Sequence, residues 1–539
     1  MSLVAAVGHP VPPLRQRLLE RAFLSGPYRW WIGRGAKTEF RPPMVQPWGG
    51  NVAVANALFQ GRYEFAGHRV EAGHQPPWRL RPEDAAWSAE LHGFRWLDHF
   101  ASAGGEAAQA HARRLVRSWI DLCARIEQPF WRADIVAERL VAWVTHAVFL
   151  SAGAEAGFLA ALASSITAQM RHLGHLMAVL PAGPQRLAAA DGLAFAAVSL
   201  GDDIRLARAM TLLANDVPGE VREDGGHRSR SPSAAHALLR RLALLADFLR
   251  AAGREVGDWL AAAIDRLAAV VRLCRHGDGG LALFHGGMED APAAVDETLK
   301  RVIGKTRATI RASAGGYQRL AAQRTVCIVD AGEPPGGEAS AHWSRGGLEL
   351  SSGKQRLVVN CGPGAGRGEA WQAAVRHTAA HSALVVADTD NLDPGAVTAS
   401  RRQDDAGNQW LEVVGHGYAE RFGLLHDRRL YLDASGADLR GADLLRAAAP
   451  DGRAAEHPFT IRFHLHPDVH VARLNAADQL LLRLPAGQGW RFRSAGAALS
   501  IEESVYLGRQ GEMRRSQQIV LSGRTQAEGT EVKWALRKA

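Results

Sequence analysis

Near residue 315 the spacing of apolar residues changes from three-and-four to two, and the chain must fold as two layers of different kind. On the N-terminal side, RPEDAAWSAELHGFRWLDHFA places Trp87, Leu91, Phe94 and Leu97 at helical spacing behind a Pro-Glu-Asp start. Amphipathic stretches continue through AAQAHARRLVRSWIDLCARI, AGFLAALASSITAQMRHLGHLMAVL and VGDWLAAAIDRLAAVVRLCRH. Short connections marked by Gly or Pro make consecutive helices antiparallel hairpins, and about eight in series form a bundle, a solenoid or a closed ring. Beyond residue 315, RTVCIVDAG, GGLELSSGKQRLVVNCG, HSALVVAD, FTIRFHLHPDVHVARL and LSIEESVYLG alternate or run apolar between Gly and Asp turns. That pattern predicts an antiparallel β-sandwich.

A chain of 539 residues exceeds one ordinary core and predicts two large domains or three smaller ones. With 47% hydrophobic and 22% charged residues, extensive disorder is excluded. Lys plus Arg exceed Asp plus Glu by 64 − 55 = 9, so an acidic partner is favoured, and the excess is mostly Arg, which grips carboxylate and sulfate bidentately. No helix-turn-helix, zinc module or aromatic RNA-binding pattern accompanies the charge, and nucleic acid is not an expected partner. Cys123, Cys274, Cys327 and Cys361 form no CxxC pair and read as buried thiols. No run reaches the roughly 18 apolar residues of a membrane helix. The first residues lack a basic region ahead of their short apolar run, which points to a cytoplasmic protein. Residues 15–23, RQRLLERAF, have the pattern of a short amphipathic helix.

Residues 35–80 are rich in Pro, Gly and aromatics and read as an extended arm, with FQGRYEFAGHRVEAG as a small hairpin. Two Gly-rich loops interrupt the helices. REDGGHRSRSPSAAH carries Arg222, His227, Arg228 and Arg230, and RHGDGGLALFHGG carries His276, Asp278 and His285. Both read as exposed loops on a helical scaffold, with Ser231 or Ser233 capping the helix that follows the first. His464 and His466 alternate along one strand, so their rings share a face. No tyrosine lies between Tyr63 and Tyr317, which leaves Tyr317 and Tyr418 as the tyrosines within reach of the seam between helices and strands.

In order, DGGHRSRSPSAAH, HGDGG, GYQRL, the strand-loop AH at His342, LELSSGKQRLVVNCG and RHTAAHS resemble the heparinase II/III-like proteins. HDRRLYLDASGADLRGADLL, IRFHLHPDV and the terminal GWRF, IEESVY and VKWALR extend the resemblance over roughly residues 80–539. It implies an N-terminal arm over 1–80, an incomplete α/α toroid over 81–315 and an antiparallel β-sandwich over 316–539. It further implies a polysaccharide lyase acting on an acidic, uronic-acid-containing glycan by β-elimination, or a relative that binds glycan or assists envelope polysaccharide assembly without cleavage. Relatives act in the periplasm or outside the cell, against the cytoplasmic reading of the N-terminus. The oligomeric state, homodimer included, stays open.

Carried over by position, the resemblance makes His227, with Arg230 beside it, the neutraliser of the uronate carboxylate. His342 is the base, and Tyr317 or a histidine such as His276 is the acid. Arg222, Arg228, His276, Asp278 and Arg376 are expected to contact substrate. Thr378 and His381 match a strand-end Thr-x-x-His in which the His binds metal in some relatives. The family's other ligand positions hold Ser344 and Asn360 here, so a zinc or calcium ion would keep His381 alone.

Overall fold

The computed structural model describes residues 22–23, 25–73, 75–80, 84–123, 130–302, 313–333, 335, 341–364, 366–391, 399–449, 455–474, 476 and 478–539. The amphipathic stretch at 15–23 lies almost wholly outside them. The chain divides into two compact units, Met1–Glu220 with Arg240–Ile264, and Val221–Leu239 with Asp265–Ala539. Both Gly-rich loops of the helical half therefore belong to the unit that carries the sheets.

The first unit is built from helical hairpins, among them Gly105–Cys123, Ala133–Thr145, Ala156–Leu176, Pro184–Leu200 and Asp203–Glu220. Pro184–Leu200 buries residues on every side, as befits a central helix without a polar stripe. Its core holds Trp87, Trp96, Trp119 and Trp143, each almost fully buried. The hairpin forms as expected, with β1 (Arg62–Phe65) paired antiparallel to β2 (His68–Glu71). The arm is less extended than its composition suggests, because Val52–Phe59 is a helix. Asn51 caps it by accepting from the Ala53 N–H at 2.9 Å, and a sequence apolar except for Asn56 hides the helical period.

The second unit contains β3 (Ser313–Ala314), β4 (Tyr317–Ala322), β5 (Thr325–Asp330), β6 (Leu348–Ser352), β7 (Gln355–Val359), β8 (Leu384–Val386), β9 (Ala399–Asp405), β10 (Asn408–Tyr418) and β11 (Leu424–Leu432). It continues through β12 (Asp438–Ala447), β13 (Pro458–Leu465), β14 (His470–Arg473), β15 (Gln479–Arg483), β16 (Gly489–Ala495), β17 (Ala498–Tyr506), β18 (Arg514–Arg524) and β19 (Thr530–Lys538). One sheet runs β14-β15-β16-β19-β12-β11-β10-β9, the other β17-β18-β13-β7-β6-β5-β4-β3 with β8 on β13, and every pairing is antiparallel. Their inner faces share one core, in which Leu320, Cys327, Leu350 and Phe463 of one sheet join Leu411, Leu430, Trp490 and Trp534 of the other. β5 and β6 are buried along their whole length, which explains the near-continuous apolar run TVCIV and leaves Glu349 of β6 inside the unit.

Candidate functional site

The loop at 221–231 is folded tightly enough to bury its polar side chains, contrary to the exposed loop expected from composition. Val221 and His227 form an antiparallel bridge, and the Arg222 N–H donates to the Gly226 carbonyl at 2.8 Å. Gly225 makes this turn at φ +87°, where an added Cβ would lie 2.6 Å from the Arg266 carbonyl. His227, Ser229, Arg230, Ser231 and Ser233 are buried, while Arg222 and Arg228 stay exposed. Ser231 Oγ accepts from the Ala234 N–H at 3.4 Å and so caps the next helix as expected.

Arg230 enters the sheet-bearing unit from a left-handed backbone conformation, φ +58°. Its guanidinium donates to Asp330 Oδ1 at 2.5 Å, to the Glu333 carbonyl at 2.9 Å and to the Gly316 carbonyl at 3.1 Å. It lies 4.9 Å over the Tyr317 ring, whose hydroxyl donates to the Arg230 carbonyl. Added Cβ atoms at Gly316 and Gly332 would come within 2.7 and 2.6 Å of it, so both glycines make its room.

Asp330, at the end of β5, is the hub. Its Oδ1 also accepts from the Gly332 N–H at 3.3 Å, and its Oδ2 accepts from Ser344 Oγ at 2.6 Å and His285 Nε2 at 3.1 Å. Burial pushes the carboxyl up, but Arg230, His285 and Ser344 outweigh it and hold it well below the usual carboxylate range. His285 accepts at Nδ1 from the His342 backbone N–H at 3.4 Å, so its proton sits on Nε2 facing Asp330. Burial keeps this imidazole neutral despite the carboxylate.

His342 and His381 differ from their neighbours. Their rings lie 5.4 Å apart at 61°, and the His285 ring is 6.5 Å from His342. Nδ1 of His342 and both ring nitrogens of His381 complete no hydrogen bond among the described residues. Burial drives the His342 pKa well below 6.5, and His381, His285 and Arg376 push the same way. Burial takes His381 down to about 3, with the nearby Val375 carbonyl opposing only in part. Arg376, half-buried, donates from Nε to the Ala341 carbonyl at 2.9 Å and so braces the His342 loop.

The remaining expected residues are engaged by protein. His227 Nδ1 accepts from the Ser229 hydroxyl at 2.8 Å and the Ser229 N–H at 3.2 Å, and burial lowers its pKa to about 4. The His227 carbonyl accepts from the Arg230 N–H at 2.7 Å, which joins this loop to the Asp330 network. His276 is fully buried between Glu349 Oε2 at 3.0 Å and Ser351 Oγ at 2.9 Å. Asp278 accepts from Arg356 Nε at 2.7 Å and from the Gly280 N–H at 2.8 Å, and Arg356 overrides burial to hold its pKa near about 2. Glu349, buried inside β6, takes the Leu283 and Asn360 N–H groups on Oε1 as well.

The donor set does not fit a divalent metal. Ser344 is spent on Asp330, and Asn360 bridges Glu349 and Ser382 at 2.9 and 3.0 Å. Thr378 accepts from the Asn391 N–H at 3.0 Å, leaving His381 without a second ligand of metal-binding type beyond His342. Among the described residues no group of three His, Cys, Asp or Glu has metal-binding geometry. His464 is held by Ser504 at 2.8 Å and the Ala379 carbonyl at 3.0 Å, and His466 packs on Tyr506, so that pair is structural.

Asp330 and Glu349 are the residues that motif reading passed over, and it names His285 in its loop without a role. An acidic residue closing or interrupting an apolar run, as in TVCIVD and LEL, signals a buried carboxylate that must find cations or donors.

Residues 304–535 match the family described as heparinase II/III-like, C-terminal. The chain belongs to the heparinase II/III-like family. Its fold is that of a crystal structure of heparinase III, at TM-score 0.72 and 13% identity, over 96% of this chain and 91% of that one. Heparan sulfate lyase HepC from Pedobacter heparinus, in a mutant form, superposes at TM-score 0.66 with 15% identity, over 96% of this chain and 88% of that one. The helical half followed by antiparallel sheets is thus an α/α toroid with a β-sandwich. FtsZ-localized protein C of Caulobacter vibrioides (strain NA1000 / CB15N) is 30% identical over 96% of this chain and 93% of its own length.

Proposed function

We propose that this protein engages an acidic, uronic-acid-containing glycan with the His227 loop and the His342–His381 pair, and cleaves it by β-elimination with His342 as base. The observation that carries the reading is the state of His342. Its imidazole is neutral, Nδ1 is unbonded, and its backbone is fixed through His285 to Asp330. A neutral ring on a fixed loop, with no partner at its buried Nδ1, has the protonation state that proton abstraction beside a carboxylate requires.

His227 is neutral and supplies a hydrogen bond rather than a charge to the uronate, while the exposed side chains of Arg228 and Arg222 in the same loop supply the charge. Arg230, with its guanidinium committed to Asp330, positions His285 rather than substrate. The base takes the proton from the carbon bearing the carboxylate, a carbon–carbon double bond forms, and the glycosidic carbon–oxygen bond breaks. The departing oxygen needs a proton. All four tyrosines of this unit donate their hydroxyls elsewhere: Tyr317 to Arg230, Tyr418 to Leu384, Tyr431 to Asn408 and Tyr506 to Glu289. The imidazolium of His342 therefore returns the proton it removed.

The same commitment of the tyrosines favours a second reading, binding of the glycan without turnover, and the relative named for its localisation with FtsZ suits a cell-division role for such a protein. Incubation with heparan sulfate, hyaluronan, alginate and bacterial acidic glycans, following ultraviolet absorbance of the unsaturated product, separates the two. Product formed by the wild type and lost in His342→Ala supports cleavage. Silence across the panel from folded protein, with glycan still bound, supports binding alone.

A further inference from the structure

The solvent face of the eight-stranded sheet carries a row of side chains that neither the fold nor the His342 site requires. Arg493 of β16 stands opposite Ala535 of β19, Ala535 opposite Arg440 of β12, Arg440 opposite Tyr431 of β11, and Tyr431 opposite Trp410 of β10. With strands about 4.8 Å apart, the row is about 19 Å long. The residues alternating with it, Phe492, Leu536, Leu439, Leu430 and Leu411, are buried. The row therefore points outward throughout. In the adjacent row Arg491 lies directly opposite Arg537.

Three features mark this face as a receptor for an anion with planar faces. Trp410 is 38% exposed, and its ring lies 5.0 Å from that of Tyr431, with the Arg440 guanidinium 5.4 Å from the Tyr431 centroid. Like charges directly across a ladder destabilise it, yet Arg491 and Arg537 face one another. Arg440 and Arg537 share one carboxylate, Asp438, whereas Arg491 and Arg493 have no carboxylate partner among the described residues.

We propose that this face is a second binding surface, specific for an anionic polysaccharide and separate from the His342 site. A pyranose ring stacks on Trp410, and carboxylates or sulfates along the chain are gripped by Arg440, Arg493, Arg491 and Arg537. A polysaccharide fits better than a single-stranded nucleic acid, which requires a succession of stacking rings rather than one exposed platform. The proposal does not depend on cleavage at His342.

Titration of the full-length protein with fluorescent heparin and polygalacturonate oligosaccharides tests it, with dextran, single-stranded DNA and phosphatidylserine vesicles as comparison probes. Trp410→Ala is expected to weaken oligosaccharide binding about tenfold. Arg491→Ala with Arg493→Ala weakens it comparably and lowers the slope of log affinity against log salt by about two. His342→Ala leaves this component unchanged, and none of the surface variants shifts the unfolding midpoint. Wild-type affinity in both surface variants would overturn the proposal. Equal binding of dextran, or tighter binding of DNA or vesicles that the same substitutions abolish, would overturn it too.

Discussion

Two pairs of buried histidines lie in the sheet-bearing unit, and they are held in opposite ways. His276 and His285 each touch a buried carboxylate, Glu349 at 3.0 Å and Asp330 at 3.1 Å. His342 and His381 touch none, and three of their four ring nitrogens complete no hydrogen bond among the described residues. All four imidazoles are pushed toward the neutral form by burial. The difference lies in what each ring does while neutral. The carboxylate-bound pair is spent on the protein around it, whereas the other pair keeps buried ring nitrogens that no protein group engages among the described residues. A site of this kind needs both, since an uncommitted base is useful only on a loop that does not move.

The contrast orders the expected effects of substitution. The largest falls on Asp330. Asp330→Ala leaves Arg230 buried without its counter-ion and should cost about 4 kcal/mol in urea unfolding. Because the folded carboxyl titrates well below its unfolded value near 3.9, that stability is present at neutral pH and is lost as pH falls below about 4. His285→Leu removes a donor to Asp330 and the acceptor for the His342 N–H, and about 2 kcal/mol is expected. His342→Leu replaces an imidazole whose Nδ1 is already unsatisfied, so its unfolding free energy should change by about 1 kcal/mol or less. If His342→Leu destabilised the protein as much as His285→Leu, the contrast would fail.

A smaller and more specific effect is the pH dependence of stability. The folded pKa values of His342 and His381 lie below the unfolded value of about 6.5, so the unfolded chain takes up protons first. Stability is full above that value and declines as pH falls from there toward the folded value of His381, about 3. Urea midpoints measured across this range should decline less steeply in His342→Leu. The smallest effect belongs to the outer sheet face, where Trp410→Ala should leave stability within about 0.5 kcal/mol.

The fold was legible because its signals are periodic. Helical spacing behind Pro-Glu-Asp and strand-length apolar runs between Gly turns are local properties of the chain, and the strand runs fall within residues 304–535, which match the family. The helix Val52–Phe59 escaped because, with Asn56 its one polar residue, it shows no polar face. The candidate site was legible only in outline. His342 and His381 stand at strand margins in the sequence and come together in space, but Arg230 and Asp330 are 100 positions apart. That a guanidinium in a Gly-rich loop is consumed by an aspartate at the end of a distant strand is a fact of long-range packing. Composition made the loop look solvated, whereas its hydrogen bonds allow it to be buried.

Proton abstraction by His342 can be followed without relying on the departure of the glycosidic oxygen. With an acidic glycan in deuterium oxide, the wild type should place deuterium on the carbon that bears the carboxylate, or release the unsaturated product, and His342→Ala should do neither. A wild-type protein that binds the glycan and yields neither exchange nor product, or a His342→Ala variant that retains either, would contradict the assignment of His342 as the base.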